Sequence, residues 1–195
     1  IRNATFELEG GQKVSTAMMT TKATPPLLEC EQATFLAMPL DGNLEAWMIL
    51  PPEGVALQDF AASLTMEQLT GWRSQATATS CLVSVPKIDI SSSGDMTGTL
   101  QAMGLTAPFD EAQADFSAMG SKLSVSRLLS AFRIRLGETG VEAADEAMGQ
   151  RMLRGMDREL KGYTFDRPFV LIIAEKDTGN LVMLAAVTRP SEDRS

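Results

Sequence analysis

The chain contains no histidine. That single absence removes a Ser-His-Asp triad, a histidine general base and any histidine-ligated metal site. Cysteine is almost as scarce. Cys30 and Cys81 are the only two, far apart in sequence. They could pair, or they could be two small buried apolar thiols; the second reading fits their wide spacing better. Aromatic residues make up only 6% of the 195 residues. No apolar run reaches the length needed to cross a bilayer as a helix. No Gly-rich phosphate loop and no paired-cysteine metal motif is present, so enzyme chemistry and a bound cofactor or metal are not expected. Positive charge is in deficit as well: the formal net charge is -8, which argues against nucleic acid and anionic membrane as partners.

What is present is a globular composition. Hydrophobic residues are 44% of the chain, enough for one domain with a sizeable core. The first half reads mostly as strands. ATFLAMPL (33–40) and LEAWMILP (44–51) are rich in strand formers and flank Asp41-Gly42-Asn43, a hairpin signal. Pro51, Pro52 and Gly54 end the second strand. Residues 57–75 carry Leu57, Phe60, Leu64, Leu69 and Trp72 near helical spacing. Thr65 with Gln68 fits a capping box, which predicts two short helices split near Ser63–Thr65. SCLVSVPKIDI (80–90) predicts one long strand. Residues 95–104 predict a short helix ending at Gly104. KLSVSRLLSAFRIRL (122–136) is ambiguous, but its end alternates as a strand does. RPFVLIIAE (167–175) and LVMLAAV (181–187) are continuous apolar runs, which predict strands buried on both faces. No internal repeat or low-complexity linker appears, so residues 1–195 read as a single domain.

One stretch fits none of this. GETGVEAADEAMGQRMLRG (137–155) opens on glycines, runs through small and charged residues and ends among arginines. It is too polar for a core strand and not periodic enough for a core helix. Its composition alone is that of a solvated loop, with a short helix as a second possibility.

Five motifs in order resemble the C-terminal half of a serpin. FDRPFVLIIAEKDTGNLVMLAAVTRP (165–190) resembles the family's C-terminal signature. ADFSAMGSKLSVS (114–126) resembles its Ala-Asp-Phe-Ser segment, PLDGNLEAWMILP (39–51) its Gly-Asn hairpin, and VSVPKIDI (83–90) its Leu-Pro-Lys strand. GETGVEAADEA (137–147) resembles the hinge of the reactive-centre loop. The resemblance implies an α+β fold of mixed and antiparallel sheets with a few short helices and an exposed loop over 141–164. It also implies a fold incomplete relative to a full serpin, because the family's N-terminal half has no counterpart here. The chain opens on Ile1 and shows no signal peptide. It is a fragment, or a partner chain completes it, or it is a shortened relative; alone it should be poorly stable and self-associate through open sheet edges.

The resemblance further implies function. A serpin is the trap and not the enzyme: a protease cleaves the loop, and the freed segment inserts into a sheet as a new strand. The implied hinge is Glu138, Gly140, Val141, Glu142, Ala143, Ala144 and Ala147. Small residues there suit both a solvated loop and a buried strand, and Gly140 permits a sharp turn. Strand alternation sends Val141, Ala143, Asp145, Ala147 and Gly149 inward and Glu142, Ala144 and Glu146 outward. Asp145 departs from the pattern, because a carboxylate driven into a sheet core is costly unless paired or protonated.

For the reactive bond, the family spacing counted from the hinge lands on or next to Arg154, and counted back from Phe165 near Asp157. Arg154 followed by Gly155 is preferred, with Arg151 and Arg158 as alternatives. Arginine there implies a trypsin-like serine protease as partner; a loop made soluble by its arginines is the plainer reading. Lys87 and Glu138 match a family ion pair where the loop would enter the sheet. Ser130 stands where many serpins carry a histidine. Pro168 and Phe169 are expected to serve register and packing. The resemblance implies a secreted, extracellular protein. The competing reading is a non-inhibitory serpin-like binding or structural protein whose loop is a substrate or is left uncut; Asp145, the absent histidine and the missing half favour it.

Overall fold

A computed structural model describes residues 2–137 and 160–190. In chain order the strands and helices are β1 (Arg2–Glu7), β2 (Lys13–Ala23), β3 (Pro26–Glu29), β4 (Thr34–Pro39), β5 (Leu44–Leu50), α1 (Leu57–Ser63), α2 (Met66–Gln75), β6 (Thr77–Ala78), β7 (Cys81–Pro86), β8 (Ile88–Asp95), α3 (Thr97–Ala102), β9 (Leu129–Leu136), β10 (Gly162–Thr164), β11 (Phe169–Glu175) and β12 (Leu181–Val187). The strands form a six-stranded sheet ordered β12-β11-β5-β4-β3-β6, a four-stranded sheet ordered β1-β2-β7-β10 and a two-stranded β8-β9 sheet. Mixed sheets with short helices are the α+β class that the motifs implied.

The six-stranded sheet is antiparallel throughout. Its centre is built by register. Ala37, Trp47 and Ile172 form one cross-strand row, and Leu36, Met48 and Leu171 the next. Successive side chains of a strand point to opposite faces, so the two rows face opposite ways. All six residues are buried. On one face α1 and α2 contribute Leu57, Phe60, Leu69 and Trp72 to a cluster with Phe35, Trp47, Ile49, Val170 and Ile172. Phe35 and Trp47 meet edge to face at 5.7 Å, the geometry their ring quadrupoles favour. The hairpin turns at Gly42, whose φ of 72° a side chain would resist. The Thr65–Gln68 capping box forms as expected: the Gln68 amide donates to Thr65 Oγ1 and the Thr65 amide to Gln68 Oε1.

Three expectations need correction. Residues 80–90 are not one strand. β7 ends at Pro86 and β8 starts at Ile88, in different sheets. Proline has no amide proton to donate to a ladder; the Lys87 amide makes one last bond in register with β2, to the Ala17 carbonyl at 2.9 Å, before the chain passes to β8 and a different partner. The two C-terminal apolar runs also differ. β11 is buried on both faces, whereas β12 leaves Val182 58% and Leu184 45% exposed. Among the described residues β12 pairs only with β11, so an apolar run signalled a strand but not its cover. Finally, the thiols do not pair and are not both buried: Cys81 is buried and Cys30 is exposed.

The chain divides into two compact units. One comprises the residues up to Asp89 and those from Arg135 onward and contains the core just described. The other is Ile90–Ile134. It is held by local polar contacts: Arg127 on Asp95 at 2.9 Å, the Met96 amide on the Leu128 carbonyl at 2.8 Å, and the Val125 amide on the Pro108 carbonyl at 2.8 Å. The helix predicted over 95–104 is α3, and Gly104 closes it at a φ of 96°.

Candidate functional site: the flanks of the 138–159 segment

The segment singled out by composition is bracketed by two strands of different sheets. β9 leads into it and β10 leads away. The hinge residues Glu138, Gly140, Val141, Glu142, Ala143, Ala144 and Ala147, the departure at Asp145, and Arg151, Arg154, Gly155 and Arg158 all lie outside the described residues. So does the Glu138 half of the expected ion pair. Its other half, Lys87, is half-buried at the crossing from β7 to β8.

The incoming flank is a ribbon. Arg127 meets Asp95, and Arg135 meets Asp89 at 3.2 Å, so β8 and β9 run in opposite directions. Two donors on Thr97 and the Arg127 guanidinium pull the Asp95 carboxyl down to about 2. Ser130 is exposed on β9 and lines a shallow cleft with Asp95 and Arg127.

The outgoing flank is short and edge-placed. β10 pairs with β7 in parallel, Tyr163 opposite Val83. The Leu82 amide donates to the Lys161 carbonyl at 3.1 Å and the Phe165 amide to the Ser84 carbonyl at 2.9 Å. Phe165 is buried and meets Phe169 edge to face at 5.1 Å. Phe169 therefore has the packing role expected of it.

Two polar clusters were not anticipated. Lys161 Nζ lies 2.6 Å from both oxygens of Glu29, and Tyr163 Oη donates to Glu29 at 3.0 Å. The Lys161 ammonium holds the Glu29 carboxyl below its ordinary range, with help from the Tyr163 hydroxyl, against a smaller upward push from burial. In the six-stranded sheet, Glu45 is buried and takes Arg73 in two bonds of 2.8 Å, with the Trp47 indole N–H at 3.0 Å. Burial pushes the Glu45 carboxyl up, but Arg73 and Trp47 together outweigh it and hold it low. A carboxylate inside the apolar strand LEAWMIL was the available signal for Glu45, since such a group must be paired. Nothing local marks Glu29, because its partners lie far along the chain.

The family model for serpin, serine protease inhibitor, matches residues 1–190. The chain belongs to the serpin family. It is 31% identical to Serpin A3-1 of Bos taurus over 97% of its length and 46% of that protein's. It is 33% identical to Alpha-1-antiproteinase 2 of Equus caballus over 77% of its length and 35% of that protein's. Among solved structures, the thyroxine-binding globulin complex with thyroxine superposes with a TM-score of 0.81 at 26% identity, covering 98% of this chain and 51% of the other. The chain thus spans about half the length of the serpins it matches, and its fold is the serpin fold over that half.

Proposed function

We propose that this chain acts as a serpin-type inhibitor of trypsin-like serine proteases, with Arg154–Gly155 as the scissile bond and Arg151 or Arg158 as alternative baits. The observation that carries this reading is the topology of the flanks. Among the described residues β9 pairs only with β8, so the strand leading into the segment has a second edge on which a freed strand could be laid. The hinge is Glu138 to Ala147, with alanine at the inward positions 143 and 147. Lys87, placed where β7 hands over to β8, is the described half of a gate with Glu138. The protease forms an acyl-enzyme at Arg154, and insertion of residues 141 onward carries it away before water releases it. Family membership supports a secreted setting, an exposed loop over 141–164 and a metastable starting state. It also supports the view that the chain is not itself an enzyme.

A second reading is favoured by two observations. Asp145 falls on the inward face of an inserted strand, and one of the matched structures is of a serpin solved with thyroxine. Both point to a non-inhibitory binding protein whose loop is cut as a substrate or left uncut.

Mixing near-equal amounts of trypsin with the chain, and with a version extended by a serpin N-terminal half, separates the two. A band of summed mass surviving denaturation, with a new fragment starting at Gly155, supports inhibition. Clean cleavage with fully active trypsin left over sinks it, and Asp145→Ala then tests whether the inward charge is the cause.

A further inference from the structure

β10 is three residues long, lies at a sheet edge and pairs in parallel with one neighbour. So short a ladder cannot hold itself in place. Its side chains supply the rest. Lys161 and Tyr163 are two residues apart, so they project from the same face of the extended chain. Both converge on one carboxylate, Glu29, in the other sheet. Glu29 is the last residue of β3, which is paired on both sides, to β4 and to β6, and the Cys30 amide closes the turn onto the Ala33 carbonyl at 3.0 Å. The acceptor is therefore built on a rigid hairpin, while the donors belong to a weakly paired strand. The lysine ammonium also lies 5.2 Å from the Tyr163 ring centre, so the three groups contact one another mutually. Tyr163 is buried at 9% exposure, whereas the Lys161 side chain is 64% exposed. The tyrosine is the inner bolt and the lysine its solvent-facing partner.

We propose that Glu29 is a latch: it seats the strand that leads away from the 138–159 segment by binding Lys161 and Tyr163 together, and so positions the downstream end of the bait. The positioning role rests on the inhibitor reading above; the latch itself does not. With the latch closed, the chain after Arg154 is fixed to the six-stranded sheet from residue 161 onward. With it open, β10 keeps its short ladder on β7 and the buried Phe165 that follows it, but its upstream end loses its tie to the other sheet.

Tyr163 is the only tyrosine in the chain, so its ultraviolet absorbance titration reports the latch alone. Burial raises the Tyr163 phenol, and the Glu29 carboxylate raises it further. In the intact chain the phenol should ionise above the ordinary value near 10. In Glu29→Gln the midpoint should move down towards that value. Amide hydrogen exchange at Tyr163, whose N–H faces β7 in this ladder, should quicken at least tenfold in Glu29→Ala, with Ile49 and Ile172 unchanged. Tyr163→Phe should reproduce the faster exchange in part. An unmoved phenol midpoint overturns the proposal. So does exchange at Tyr163 that rises only in step with the core, because Glu29 would then be a general support. Trypsin cleavage is read separately: if Glu29→Ala loosens β10 but no bond near Arg154 is ever cut, the latch stands and the inhibitor reading falls.

Discussion

The six-stranded sheet and the Ile90–Ile134 unit come from the same chain but are stabilised in opposite ways. In the sheet, Trp47, Ile49, Leu171 and Ile172 are at most 1% exposed, and helices α1 and α2 cover one face. Between Ile90 and Ile134, all of it described, Ile134 is the only buried residue, while Met103, Met119 and Leu129 are 69–81% exposed. The first region is held by apolar burial, which grows with the area removed from water. The second is held by hydrogen bonds and exposed ion pairs, each worth little in water. Rigidity and cover thus sit with the sheet, and β9, the strand that leads into the 138–159 segment, belongs largely to the unit without a core. The proposed insertion would call for such a division, because a strand is most easily added where the existing order is cheap to rearrange.

That contrast can be broken most severely from the sheet side. Trp47→Ala should cost about 3–5 kcal/mol in urea unfolding, whereas Leu129→Ser should change stability by less than about 0.5 kcal/mol. Equal effects would dissolve the distinction. Next in size, Glu45→Ala leaves the Arg73 guanidinium unpaired in a mostly buried site and should cost about 2–3 kcal/mol; a loss no larger than that of a surface pair would show that water reaches it. The same carboxylate gives a pH signature. Its folded value is depressed below the ordinary 4.5, so its contribution is complete above that pH and is lost as pH falls through the folded value. Glu45→Gln should flatten that part of the stability curve. Thr65→Ala removes a cap at the split between the helices and should cost about 1 kcal/mol. The smallest effect is in the second unit: Asp95→Asn should leave global unfolding unchanged and only speed exchange of the Thr97 amide, which donates to Asp95 at 2.9 Å.

Much of the sheet was legible because its cues are local. Asp41-Gly42-Asn43 marked the hairpin, Thr65 with Gln68 marked the start of α2, and the apolar run at 169–175 marked the central strand β11. The misreadings share a cause. Val182 and Leu184 are as apolar as their β11 counterparts, yet whether a face is covered depends on other parts of the chain. SCLVSVPKIDI alternates smoothly through Lys87, and only its partners, distant in sequence, divide it: β2 takes the part before Lys87 and β9 the part after. Cys30 is small and apolar in type, but its place in the turn after β3 leaves it in solvent. Of the candidate site, motif order exposed the segment and its flanks. The Glu29 latch was invisible, since 132 positions separate Glu29 from Lys161.

By itself, then, the order of residues determined most element types and the family, because hydrophobic period, turn chemistry and caps act over a few neighbours and the family's motifs are short. Tertiary structure alone decided which strand is covered, where β7 gives way to β8, and which carboxylate meets which cation. Those outcomes depend on groups brought together from distant parts of the chain, where burial, and the pairing that burial demands, are set by the fold as a whole.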